Sequence, residues 1–245
     1  MRTTTLGAFL ASLATTAFVV AGLAQAPAQA TDPAVTSATL TINHKTTLKG
    51  QYGDAIGYLE ASVLDVNGGG VYTGSAALEQ RLPGQAWSLV KTDPDISDGV
   101  RFGSYGSHAK RNVRYRFHYL GGTDPDTLVT YAPSYSNVVT VITLWNFNDT
   151  SACPNGRCHI GGRLIPRTKH HKIIVQVRHG SWQPYRVVRT TTRGTYRIPV
   201  TGSARGTKYR MIITGTKQLT ATVAHYRVTR VTSRDAHAGR VVSLR

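Results

Sequence analysis

The chain has 245 residues, 40% of them hydrophobic and 17% charged, with 29 Lys and Arg against 12 Asp and Glu, a formal net charge of +17. After a thirty-residue leader, about 215 residues remain, enough for one large β domain or two of roughly 100. No later apolar run is long enough to span a bilayer, and a chain this basic points to anionic partners.

Residues 1–30 read as a cleaved signal peptide. Arg2 gives a positive start, residues 6–24 are rich in Ala, Leu, Val and Phe, and Ala28-Gln29-Ala30 is a small-x-small cleavage pattern. Thr15, Thr16 and Gly22 interrupt the apolar run, which argues against a membrane anchor. No Cys lies near the cut and no wall-sorting signal closes the chain, so the mature protein is expected outside the cell, released or held only by binding.

The rest shows no sustained helical period. Short runs rich in Val, Ile, Thr and Tyr alternate with Gly, Pro, Asp and Asn, which predicts an all-β protein. Strands are expected near 38–43, 57–64, 76–81, 87–92, 100–105, 113–120 and 137–144. A second set is expected near 159–165, 172–178, 185–190, 195–200, 208–214, 221–231 and 240–244.

The two sets share a skeleton. Gln80, Arg81, Trp87, Gly99, Tyr115, Arg116 and Gly121 in the first match Gln176, Arg178, Trp182, Gly194, Tyr209, Arg210 and Gly215 in the second. Trp to Gly is 12 residues in both, and Trp to Tyr is 28 and 27. One unit of about 95 residues is used twice. The expected boundaries are a signal peptide at 1–30, a first sandwich at 31–147 and a basic second sandwich at 148–245.

The segment from Gln80 through Trp87 to Val90, and the run from Tyr131 to Val141, resemble secreted immunoglobulin-like domains of Gram-positive, actinobacterial-type bacteria. In that group an arginine, a glycine-bearing hairpin, a tryptophan, an Asp-bearing turn closed by Gly and a Tyr-Arg strand follow one another. The resemblance covers 38–141 well and 160–231 more loosely. It implies two tandem immunoglobulin-like β-sandwiches serving as spacer, adhesion or accessory modules, and it implies little chemistry. It does not account for the arginines of the second half.

Those arginines are the sharpest feature. Residues 31–150 carry 9 Lys and Arg and 11 Asp and Glu, a net of −2; residues 151–245 carry 19 and one, Asp235, a net of +18. Arg outnumbers Lys fifteen to four there, and Glu is absent. Arginine forks suit phosphate and carboxylate oxygens. Strand parity puts Arg178 with Gln176, Arg186, Arg197, Lys208 with Arg210, and Arg227 on outer faces, with Val175, Val177, Tyr185, Val187, Tyr209 and Met211 inward. Arg189 falls on the inner parity. The anion-binding candidates are therefore Arg178, Arg186, Arg197, Lys208, Arg210 and Arg227. The alternative is a solvated surface, which would normally mix in Glu.

Other chemistry is sparse. Cys153 and Cys158 flank a Pro-Asn-Gly turn and are expected to form a disulfide rather than a metal site with His159. The Asp93-Pro94-Asp95-Ile96-Ser97-Asp98-Gly99 segment reads as a turn before a calcium loop. His170 and His171 point to opposite faces of an extended strand, poor geometry for one ion. Trp87 and Trp182 are expected in or near the cores rather than as sugar platforms. There is no Gly-x-Ser-x-Gly elbow, and with one acid in the second half a carboxylate pair could exist only in the first. The reading is a secreted protein, not an enzyme, without cofactor or metal. Its basic half would associate with anionic cell-envelope polymers. The alternatives are extracellular nucleic-acid binding by the same face, a purely structural spacer or adhesion module, and last a secreted hydrolase.

Overall fold

Alternating polar and apolar residues become strands because period-two burial puts every second side chain in a core. The computed structural model describes residues 32–55, 57–97, 100–102, 109–230 and 239–244. The expected signal peptide, Asp98, Gly99 and Asp235 lie outside them. Among the described residues the protein is all-β, with no α-helix and four sheets.

Two sheets enclose the first core. One has the order β1 (Thr36–Ile42), β3 (Leu59–Asp65), β6 (Val100–Phe102). The other runs β2 (Thr47–Gln51), β10 (Val139–Leu144), β7 (Val113–Thr123), β4 (Ser75–Arg81), β5 (Trp87–Asp93). The short β8 (Thr130–Tyr131) and β9 (Ser134–Tyr135) also pair with β7. Leu40, Ile42, Leu78, Phe117, Val139 and Val141 fill the space between.

The second pair repeats the scheme. A sheet of β11 (Asn146–Asp149), β12 (His159–Ile165) and β15 (Thr195–Pro199) faces a sheet ordered β14 (Ser181–Arg189), β13 (Lys172–His179), β16 (Thr207–Ile213), β17 (Thr222–Arg230), β18 (Gly239–Leu244). Ile160, Leu164, Val175, Tyr209, Met211 and Tyr226 are central to its core. Cys153 and Cys158 form a disulfide around a one-turn 3-10 element at Pro154–Gly156.

The join between the cores is packed and hydrogen-bonded. Trp145 belongs to the second core; its indole donates to the Thr214 carbonyl at 2.9 Å, and the Thr222 hydroxyl donates to the Trp145 carbonyl at 2.9 Å. Asn112 donates its N–H to the Gln218 carbonyl at 2.6 Å, and its side-chain oxygen accepts from Thr143 N–H at 2.8 Å and the Thr220 hydroxyl at 3.3 Å. Residues 147 and 148, either side of the expected boundary, both lie inside β11, which pairs along its length with β12.

All fourteen expected strands are present, within a few residues. Four others are not foreseen. β2 contains Lys49 and Gly50 and gains its stability by pairing in parallel with β10. β8 and β9 are two residues each, and β11 is Asn-Phe-Asn-Asp, without an apolar period. Such strands form because a neighbouring edge accepts them, a non-local condition.

Candidate anion-binding site

The outer face of the sheet β14-β13-β16-β17-β18 is built on one rung. Gln176 on β13 lies opposite Arg210 on β16, which lies opposite His225 on β17. The Arg210 Nε donates to the Gln176 side-chain oxygen. Its guanidinium sits 4.8 Å from the Trp182 ring centroid, a cation–π contact. His225 approaches the same indole at 5.7 Å between centroids. On the next rung Lys208 faces Arg227, and Arg178 lies opposite Trp182. Arg227 is anchored by an Nη2 bond of 2.8 Å to the Arg205 carbonyl. It lies over Gly206, where a Cβ would fall 2.5 Å from its Nε. The left-handed φ of +82° at Gly206 also favours glycine.

The structure brings together Arg178, Lys208, Arg210 and Arg227. It separates the other two candidates. Arg197 is on β15, the opposite sheet, where it is exposed. Arg186 follows a bulge in β14: the register shifts at Val175/Gln176, leaving Arg186 opposite the inward-facing Val175. The same shift reverses the parity beyond it. Val187, expected inside, is 59% exposed, and Arg189, expected on the inner side, lies opposite exposed Lys172. Pro184, which lacks a ladder N–H, is the available sequence sign that β14 is an irregular edge strand.

Trp182 and Trp87 correct a second expectation. Each pairs directly with an outward arginine, Arg178 and Arg81 respectively, so each shares the outer face. They are half-buried beneath guanidinium groups rather than in the cores. In the first sandwich Arg116 stands 4.5 Å from the Trp87 centroid and 4.3 Å from that of Tyr135, which stacks on His118 at 3.9 Å. Arg81 covers Trp87 at 5.0 Å. Here the residue opposite the arginine is Glu79, one place before the Gln80 that the sequence repeat aligns with Gln176; its Oε2 accepts from Arg116 Nε at 2.5 Å and neutralises it. Burial holds His118 below the ordinary histidine pKa, Glu79 raises it in part, and Arg116 lowers it further.

Ion pairs between described residues, Arg116 with Glu79 and His44 with Glu60, are confined to the first half. From Thr150 onward the described residues include no carboxylate side chain. No group of three or more His, Cys, Asp or Glu among them could hold a metal ion. In the acidic turn Ser97 N–H donates to the Asp95 carboxylate at 2.9 Å, an Asx turn. His171 packs on Trp145 with ring centroids 4.5 Å apart, at the join between the sandwiches. Among the described residues no helix is long and apolar enough to cross a membrane.

A scan against protein-family models finds no match, and a search of curated proteins finds none. Solved structures do match. One is reported as a structural insight into host cell surface retention of a 1.5-MDa bacterial ice-binding adhesin. Identity to it is 12% over 78% of this chain, with a TM-score of 0.24. This chain spans 63% of that structure's length.

Proposed function

We propose that this is a secreted, non-catalytic binding protein of two tandem immunoglobulin-like sandwiches, whose second sandwich holds anionic cell-envelope polymers on the β14-β13-β16-β17-β18 face. The observation that carries the reading is the unneutralised rung at Arg210. In the first sandwich an equivalent arginine is closed by Glu79; in the second, Gln176 orients Arg210 without cancelling its charge. Arg178, Lys208 and Arg227 then extend the positive field along neighbouring rungs.

The immunoglobulin-like assignment is supported by the facing three-stranded and larger sheets in each half. The Tyr209 hydroxyl also donates back to the Thr201 carbonyl at 2.8 Å, the corner bond such sandwiches make at that strand. The Cys153–Cys158 disulfide supports an oxidising compartment and the secretory reading of residues 1–30.

The test is retention of the full mature chain on isolated cell walls, duplex DNA and a neutral polysaccharide across a salt series. Retention should be strongest on walls and fall with salt, and K208E/R210E should weaken it about tenfold. Equal binding of that variant and the parent overturns the reading. Equal retention on DNA and walls replaces it with a nonspecific basic surface.

A further inference from the structure

We propose that the opposite sheet, β11-β12-β15, carries a second anion-binding groove for acidic polysaccharide, so that one molecule bridges two polymer chains. The bridging rests on the face described above; the groove does not.

Arg163 and Arg197 flank a cavity of about 400 Å³ whose other walls include Asn148, Thr150, Thr191 and Thr195. A second cavity of about 480 Å³ shares Arg163 and Thr195 and adds Arg167, Thr192 and Arg193. The two meet at Arg163 and Thr195, and we read them as one trough with four arginines along it. All four are exposed, and their side chains make no hydrogen bond or ion pair with another described residue.

Register explains the shape. Asn148, Arg163 and Thr195 lie on one rung, and Gly161, opposite Arg197, contributes no side chain to the next. The walls are held in place before any ligand arrives. Buried Thr190 donates its hydroxyl to the Thr168 carbonyl at 2.5 Å, tying the loop that bears Arg167 to the one that bears Arg193. Thr191 and Thr195 share a hydroxyl hydrogen bond of 2.7 Å across the turn. Gly194, at φ +75°, packs so closely on that loop that a Cβ would fall 3.0 Å from Thr168 N.

The chemistry of the lining selects the ligand class. Arginine forks meet carboxylate or sulfate oxygens. Threonine hydroxyls and an asparagine amide match sugar hydroxyls. No tryptophan or phenylalanine lines the trough, and its one aromatic, Tyr196, is buried, so the base stacking that single-stranded nucleic acid uses has no platform. The outer faces of a sandwich's two sheets point away from each other, so polymer on one leaves the other free.

The experiment uses the full mature chain with beads coated in polygalacturonate, dextran sulfate or duplex DNA, reading retention and bead clumping separately. The parent should clump both glycan beads. R163E/R197E should stay bound, within about threefold of the parent, yet fail to clump them, and R163Q/R197Q should clump them weakly. Near-UV circular dichroism like the parent's shows that both variants fold. Clumping by R163E/R197E equal to the parent's overturns the groove. Equal clumping of DNA beads that R163E/R197E abolishes overturns the glycan assignment. If K208E/R210E is retained like the parent while R163E/R197E is weakened, the other face fails and the groove stands.

Discussion

The two sandwiches carry the same outer-face device in two electrical states. Each sets an arginine over a tryptophan and steadies its Nε with the side chain directly opposite. In the first that side chain is Glu79, and Arg116 is further enclosed by Tyr135. In the second it is Gln176, and the companion ring is His225 at the flank of Trp182. One carboxylate exchanged for an amide leaves the geometry and removes the counter-charge. On the proposed reading, a cation that is structural in one half is available to a ligand in the other.

If the device is a shared structural unit, its tryptophans should matter equally. Trp87→Ala and Trp182→Ala are each expected to cost about 2 kcal/mol, from lost apolar burial and the cation–π contact, measured by denaturant unfolding. A large inequality between them would break the comparison. The disulfide belongs to the second sandwich alone. Replacing Cys153 and Cys158 by Ser should cost up to about 2 kcal/mol, since the closed loop is short, and leave polyanion retention at low salt unchanged.

The charge difference is tested by exchanging the two orienting residues. Gln176→Glu should lower retention on anionic polymer roughly threefold by removing one effective cationic contact, and Glu79→Gln should raise it by less. No change on Gln176→Glu would show that Arg210 is not in contact with the ligand.

The smallest expected effect is on pH dependence. His118 has a folded-state pKa below its unfolded value of about 6.5, burial being the main cause. The folded state therefore favours the neutral ring. The associated stability is present above the unfolded pKa and is lost as pH falls through the lower folded pKa. Melting temperature should drop between pH 7.5 and 5, and His118→Phe should flatten part of that slope. His159 in the second sandwich is shifted the same way, by burial and then by the Arg197 charge, so the flattening is partial.

Much of this was legible in the chain. Strand alternation exposes all seven main strands of each half, because burial at every second residue is a local pattern. The repeated skeleton accompanies a three-stranded sheet and a larger sheet in each half, and the charge count locates the basic half. Parity places Lys208 and Arg210 on one face, and the structure buries Tyr209 and Met211 between and beyond them on the other. The same parity rule failed at Arg186, Val187 and Arg189. A bulge inserts one residue, and only the partner strand reveals where.

The sequence alone determined the fourteen main strands, the repeated residue skeleton, the disulfide spacing and the asymmetry of charge, all of which depend on residue identity and short-range order. Tertiary structure decided which charges meet. It moved Arg197 to the opposite sheet beside Arg163, brought Trp182 out beneath Arg210, and lined one cavity with Arg167 and Arg193 from two loops distant in sequence. These outcomes depend on register between strands far apart in the chain, and register is set by the packing of the whole sandwich.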